Sequence, residues 1–415
     1  MIAEILSTGD EIRSGALIDS NSAYIAQRLE ELGFPVFRHT SVGDDVDIIV
    51  STLKEIGIRS DVAVVTGGLG PTIDDLTAES AAKAAGVELK LDEVALSSIE
   101  KFFKRLNRPM SETNRKQAML PEGSERLDNP IGTAPGFMLK VDRCHFFFLP
   151  GVPAEMRLML SDKVLPRLVK LRGIDRRYFL VKTISTFGLP ESATGEKLSD
   201  LTSAFPDIKL GLRAKFPEIQ IKLYVNGDDE KKLNDLIEKA TEWVLEQIGN
   251  RVFATDGSAM EEIIGRLIKE KKATLAIGES CTGGLISHWL TNVPGSSDYF
   301  LFSGVAYSNE AKMNVLGVPR ETLERYGAVH EETVKEMAEG ARRVSGATYG
   351  IATSGIAGPD GGTEDKPVGT VCIGIASPMG VEGRRFFFPF GERTRNKQIF
   401  AMTALDLLRR KLLIA

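Results

Sequence analysis

Glu279-Ser280-Cys281-Thr282-Gly283-Gly284 follows the apolar run Ala276-Ile277-Gly278 and precedes a helix-forming stretch. A strand that turns tightly into a helix lifts one side chain to the sheet edge and leaves the helix-start amides unpaired. Such amides bind a phosphate or a developing oxyanion. Ser280 is the candidate nucleophile of this turn, and Cys281 is its rival, because a thiolate is intrinsically more reactive. The same turn is also compatible with Ser280 or Thr282 simply capping the helix. A serine nucleophile needs a base. Lys312 sits about one turn inside the helix opened by Tyr307-Ser308-Asn309. It can act as that base if burial or a nearby positive charge lowers its pKa from about 10.4. Left in solvent it is an ordinary surface lysine.

Two further segments of this region carry ligand-binding residue types. Thr353-Ser354-Gly355-Ile356-Ala357-Gly358 runs from a strand into a glycine-rich loop that lets backbone approach a ligand closely. Gly391-Glu392-Arg393-Thr394-Arg395 opens the last helix and offers guanidinium forks suited to phosphate or carboxylate.

The first third of the chain has its own cluster. Thr66-Gly67-Gly68-Leu69-Gly70-Pro71-Thr72-Ile73-Asp74-Asp75 ends a buried strand in a turn whose amides can cradle phosphate. Asp74 and Asp75, with Asp10 and Glu11 after the first strand, are oxygen donors for a hard divalent cation such as magnesium or cobalt. Asp10, Asp74 and Asp75 are the candidate metal ligands. Lys116 is a candidate phosphate contact, and Pro150, Gly151 and Glu155 complete the set from Leu149-Pro150-Gly151-Val152-Pro153-Ala154-Glu155. An acidic pair at a helix start also complements the helix dipole without any metal.

The elements that must hold these residues follow from periodicity. Strands at Ile2–Ser7, Val36–Thr40, Val62–Thr66 and His145–Leu149 alternate with amphipathic helices such as Ser20–Leu32 and Asp45–Ile56. The rhythm returns at Thr274–Gly278, Ser303–Ala306, Tyr349–Thr353 and Thr370–Ala376, before a final helix from about Thr394 to Leu413. Alternating strands and helices predict α/β architecture: two three-layer α/β/α domains with mostly parallel sheets, at 1–170 and 256–415. Ligands then sit at the carboxyl ends of the strands, where both clusters fall. Residues 171–255 read as a small α+β module of order β, α, β, α, without a catalytic cluster.

Composition narrows the function classes. A net charge of −5 over 415 residues argues against broad nucleic-acid binding. No apolar run approaches a membrane span, and Met1-Ile2-Ala3-Glu4 lacks a signal-peptide pattern, so a cytoplasmic protein is expected. Three distant cysteines offer no disulfide framework, and four scattered histidines form no zinc-ligand spacing.

Taken together, the motifs from 257 to 415 resemble the CinA carboxy-terminal domain, a nicotinamide mononucleotide amidohydrolase family, and the whole chain resembles full-length CinA proteins. The resemblance implies metal-free deamidation of nicotinamide mononucleotide to nicotinate mononucleotide and ammonia. It assigns Ser280 as nucleophile, Lys312 as its basic partner and Tyr307 as the adjacent tyrosine. Residues 353–358 are the substrate loop, and one arginine of the 391–395 segment is functional, Arg395 being favoured slightly over Arg393. Helix-start amides near Thr282 and Gly283 would hold the oxyanion, with Gly284 beside them. Residues 1–170 are similar to the molybdopterin-binding fold of MoaB, MogA and MoeA. For the CinA branch that implies cation-dependent hydrolysis of ADP-ribose, and a homodimer is expected. The alternatives are a non-catalytic molybdopterin- or nucleotide-binding module, or a competence-associated scaffold.

Overall fold

A computed structural model describes residues 1–173 and 178–414. The chain forms two compact units, Met1–Leu180 with Asn226–Leu233, and Val181–Val225 with Asn234–Ala415.

In the first unit, strand Ala3–Thr8 is buried at all six positions, which is what a parallel strand covered on both faces requires. It pairs in parallel with Val36–Val42 and Val62–Thr66, and the latter pairs in parallel with Cys144–Leu149. Alternate residues then feed two cores. Leu6, Ala63, Val65, Phe146 and Phe148 meet helix Val46–Arg59 through Ile49, Leu53 and Ile56. Ile5, Val62, Val64 and Phe147 meet helix Ser20–Glu31 through Ile25 and Leu29, and Met156 and Met159 of helix Pro153–Met159. The sheet is finished by antiparallel strands Gly136–Val141 and Glu125–Leu127, which extends the expected parallel sheet into a mixed one.

The second unit holds a five-stranded sheet in the order Phe300–Val305, Leu275–Glu279, Tyr349–Gly355, Thr370–Ser377, Gly380–Phe387. Its first three strands are parallel and its last two run antiparallel, joined by a tight hairpin. Ile277, Ile351 and Ile373 pack against helices Met260–Glu270 and Arg393–Ile414. Ala276, Ala352 and Cys372 face Val334, Met337 and Ala338 of helix Glu331–Ser345. That helix lies close because a Cβ at Gly374 would stand only 2.0 Å from Val334 O.

A four-stranded sheet has the order Lys209–Lys215, Glu218–Gly227, Tyr178–Phe187, Val252–Ala254, and Glu238 of helix Glu230–Ile248 pairs with Lys182 of its third strand (2.7 Å). Strands Lys209–Lys215 and Val252–Ala254 are additions to the expected β, α, β, α order. In the former, Leu210, Leu212 and Ala214 alternate with Lys209, Gly211, Arg213 and Lys215, as suits an edge strand with one polar face. Cys144, Cys281 and Cys372 are unpaired and buried. Among the described residues, no helix is long and apolar enough to cross a membrane.

Candidate active site

The serine turn is braced from beneath by Glu279. This carboxylate is fully buried at the end of its strand and accepts the amides of Gly284 (2.9 Å), Ile286 (3.3 Å) and Ser287 (3.0 Å). It therefore caps helix Leu285–Thr291 with a negative charge at its positive end. Gly284 enters the helix at φ +88°, a conformation that suits glycine. Ser280 does not cap this helix: its amide donates to Thr353 O (3.0 Å), and its hydroxyl points elsewhere. Thr282 Oγ1 meets Thr353 Oγ1 at 2.8 Å, joining the turn to the neighbouring strand end.

The hydroxyl of Ser280 faces Lys312. Lys312 Nζ lies 3.2 Å from Ser280 Oγ, 3.0 Å from Ala306 O and 3.1 Å from Tyr307 O. Ser308 caps helix Asn309–Leu316 through the Ala311 amide, and this cap turns Lys312 inward. The side chain is only 1% exposed, and that desolvation pulls its pKa below the ordinary lysine value. Nζ donates to both carbonyls and to Ser280 Oγ. In its neutral form it would keep two N–H groups for the carbonyls and free a lone pair for the Ser280 proton.

Cys281 points the other way, into the hydrophobic core, where burial pushes its thiol up to about 12. Such burial disfavours the thiolate that a cysteine nucleophile needs at neutral pH. The amides also sort differently from expectation. Gly283 N–H closes the turn onto Ser280 O (3.1 Å) and Gly284 N–H is held by Glu279, so neither faces a ligand. Among the described residues, the amide of Thr282 has no acceptor and that of Cys281 meets only its own thiol. They are the donors left next to Ser280.

The other expected residues assemble around this pair. Arg393 donates to Tyr307 Oη (2.9 Å) and to Gly358 O (2.6 Å). The exposed tyrosine is thereby fixed beside the glycine loop. Arg395, the arginine favoured from sequence, turns away and stacks on Phe216 (4.5 Å) and Phe390 (5.0 Å). Alternation along a helix start separates the two: residues two apart point to different faces. The loop is pinned by Ile356 N–H to Thr370 O (2.8 Å), while Ser354 is buried and Gly355 lies against Val371. Asn396, which the sequence reading missed, is fully buried and donates to Ala357 O (3.0 Å) and Phe390 O (2.8 Å).

In the first unit, Glu11, Gly67, Gly68, Gly70, Asp74, Asp75, Pro150, Gly151 and Glu155 line one cavity of about 450 Å³ at the carboxyl ends of the parallel strands. Three expected residues lie outside its lining. Asp10 pairs with Arg13 (3.1 Å), Lys116 Nζ donates to Thr72 O (2.7 Å), and Thr72 closes the loop by donating its amide to Asp75 (2.8 Å). Asp44 and Asn21 line the cavity and were missed, because their side chains arrive from other segments. Asn21 ties Thr66 Oγ1 (3.2 Å) to Gly151 O (2.8 Å). Burial raises the Asp44 carboxyl above its usual range, and the charges of Asp10, Glu11 and Asp74 push the same way. Among the described residues, no three His, Cys, Asp or Glu side chains converge to cage a metal ion. Magnesium, however, is commonly held by one or two carboxylates with phosphate and water. Glu11, Asp44 and Asp74 bring carboxylates to the cavity lining without converging into a cage of their own. Asp10 and Asp75 are committed to their own neighbours.

Comparison with known proteins gives three family matches. Residues 4–170 match the probable molybdopterin binding domain, 181–254 the damage-inducible protein CinA KH domain, and 257–412 the CinA C-terminal domain. A CinA-like protein of Desulfosudis oleivorans is 54% identical over 100% of both chains. One of Desulforapulum autotrophicum is 48% identical over 100% of this chain and 99% of its own. A crystal structure of CinA from Thermoplasma acidophilum is 37% identical over 38% of this chain and 93% of its own, with a TM-score of 0.36. With relatives this similar from end to end, the chain belongs to the CinA-like protein family.

Proposed function

We propose that the second unit is an amidohydrolase that converts nicotinamide mononucleotide to nicotinate mononucleotide and ammonia through an acyl-enzyme on Ser280. The observation that carries this reading is the 3.2 Å contact between Ser280 Oγ and a buried Lys312 Nζ. Lys312 takes the hydroxyl proton as Ser280 Oγ bonds to the carboxamide carbon. The amides of Cys281 and Thr282 hold the oxyanion. Lys312 returns the proton to the nitrogen as the C–N bond breaks, and ammonia leaves. A water then gives its proton to Lys312 and attacks the ester. The acyl–oxygen bond breaks, Ser280 recovers its proton, and the carboxylate is released. No metal enters this sequence, because lysine and backbone supply both proton transfer and charge stabilisation.

For the first unit, the glycine-lined cavity with Glu11, Asp44 and Asp74 among its lining residues supports binding of a nucleotide diphosphate, and we propose ADP-ribose hydrolysis there. A divalent cation on those carboxylates would shield phosphate charge and acidify a bound water. The intact protein should release ammonia from nicotinamide mononucleotide with or without chelator. It should cleave ADP-ribose only when a divalent cation is added. Absence of the first product sinks the amidase reading, and binding of ADP-ribose without cleavage reduces the first unit to a binding module.

A further inference from the structure

Helix Arg393–Ile414 begins with Arg393, Arg395 and Lys397, and its first turn contains no carboxylate. Cations are disfavoured at the positive end of a helix dipole, so the two in the first turn need a reason, while Lys397 stands one residue beyond it. Arg395 finds that reason in its stack on Phe216 and Phe390. Arg393 is placed on Tyr307 and Gly358, yet a guanidinium has five N–H donors, and these two contacts leave others free. Lys397 has no such explanation. It is half-buried, and among the described residues its ammonium has neither a hydrogen-bond nor an ion-pair partner.

Its position is informative. Lys397 follows Arg393 by four residues, so both project from one face of the helix start. Lys397 Nζ lies 3.5 Å from where a Cβ on Gly283 would sit, three residues beyond Ser280. The serine turn thus passes directly beneath an uncommitted ammonium. Gly283, at φ +59°, places no side chain between them.

We propose that Lys397 and Arg393 form a phosphomonoester clamp beside the serine turn, and that Lys397 determines the preference for a phosphorylated substrate over the same compound without its phosphate. The proposal rests on the amidase reading for its substrate, but not for its geometry. Arg393 presents a planar fork and Lys397 a mobile point charge, a complementary pair for a dianion. A neutral nucleoside gains nothing from either. Specificity is then the difference between the two affinities.

The test compares wild type, Lys397→Gln and Lys397→Arg in the intact protein. Ammonia release is measured from nicotinamide mononucleotide and from nicotinamide riboside, and calorimetry measures binding of ribose 5-phosphate and ribose. Lys397→Gln should raise KM for the mononucleotide about tenfold, the factor one charge-assisted hydrogen bond supports. Its kcat should stay within about twofold, because the clamp grips a non-reacting group in ground and transition states alike. Riboside kinetics should be unchanged, and Lys397→Arg should restore KM. An unchanged mononucleotide KM, or equal losses on both compounds, overturns the clamp and leaves the amidase reading intact. If wild type releases ammonia from neither compound, the amidase reading fails and ribose 5-phosphate decides alone. Binding weakened by Lys397→Gln then sustains the clamp, and binding that is absent or insensitive overturns it.

Discussion

Lys312 Nζ and Ser280 Oγ face each other at 3.2 Å, and both residues are nearly withdrawn from solvent, at 1% and 8% exposure. Burial favours the neutral amine, and the contacts recorded for Nζ are two carbonyls and this hydroxyl. Activity that needs the neutral form rises with pH through the pKa of Lys312 and levels off above it. Because desolvation lowers that pKa, the midpoint in kcat/KM should fall below the ordinary 10.5. Lys312→Arg keeps a permanent charge and should lose at least about a hundredfold in kcat, the lower range for removing a general base. A kcat/KM profile from pH 5 to 10 that is still rising tenfold per pH unit at its upper end, or an active Arg variant, would exclude Lys312 as base.

Ser280 and Cys281 are adjacent in sequence but opposite in environment. Ser280→Ala should abolish ammonia release while leaving the fold intact. Cys281→Ala should keep most of the turnover, since the thiol is buried and held near 12. Its cost is packing, on the order of 1 kcal/mol of stability. Comparing ammonia release and thermal denaturation of the two variants decides the assignment. An active Ser280→Ala protein would be fatal to it.

The strand–turn–helix units were legible because apolar runs, glycine turns and caps are local signals. Ser280, Lys312 and the 353–358 loop stood out by type and spacing, while Tyr307 and the choice of Ser280 over Cys281 rested on the family resemblance. Their convergence could not be read this way, because it depends on strand Leu275–Glu279 lying between Phe300–Val305 and Tyr349–Gly355. Residues that act through direction rather than type were missed. Glu279 looks like any polar residue ending a strand, and its burial under the helix start has no sequence signature. Asp44 reaches the first cavity from the loop after the second strand, and Lys397 reads as a solvated helix cation. The choice between Arg393 and Arg395 likewise turned on which face of the helix meets Tyr307, a fact of packing.

Glu279 should be the structural determinant of the serine turn. Glu279→Gln replaces one acceptor oxygen with an NH₂ group that confronts backbone donors, and it also removes the capping charge. A loss of about 2 kcal/mol in stability is expected, from buried charge-assisted hydrogen bonds lost or inverted. Because Gly284 and Ser287 are held by the same carboxylate, kcat should fall as well. Denaturation midpoints and kcat for Glu279→Gln that both match wild type would show that the turn holds itself.

Arg393 and Arg395 should separate cleanly. Arg393→Ala releases Tyr307 and the Gly358 loop, so KM should rise by about tenfold or more, in keeping with lost charge-assisted contacts. Arg395→Ala removes a cation held over two aromatic rings and should cost stability, about 1 kcal/mol, with little change in KM. Steady-state kinetics paired with thermal denaturation reads both effects. The reverse pattern would return the substrate-binding role to Arg395.

In the first unit, Asp44 and Asp10 provide the sharpest contrast. Asp44 lines the cavity and is crowded by the charges of Asp10, Glu11 and Asp74, so a cation there would relieve that repulsion. Asp10 is exposed and pairs with Arg13 outside the lining. Asp44→Asn should therefore reduce cation-stimulated ADP-ribose cleavage at least about tenfold, the scale for losing one charged contact to a phosphate or cation. Asp10→Asn should change it little, and neither should affect ammonia release from nicotinamide mononucleotide. Gly70→Ala adds a third case, since a Cβ there would fall 2.4 Å from Asp75 Oδ2 and break the turn that Asp75 closes on Thr72. It should impair ADP-ribose cleavage without removing any carboxylate. If Asp44→Asn is silent while Asp10→Asn is inactive, the carboxylates that matter are those outside the cavity, and the site must be moved toward the Arg13 side of the sheet edge.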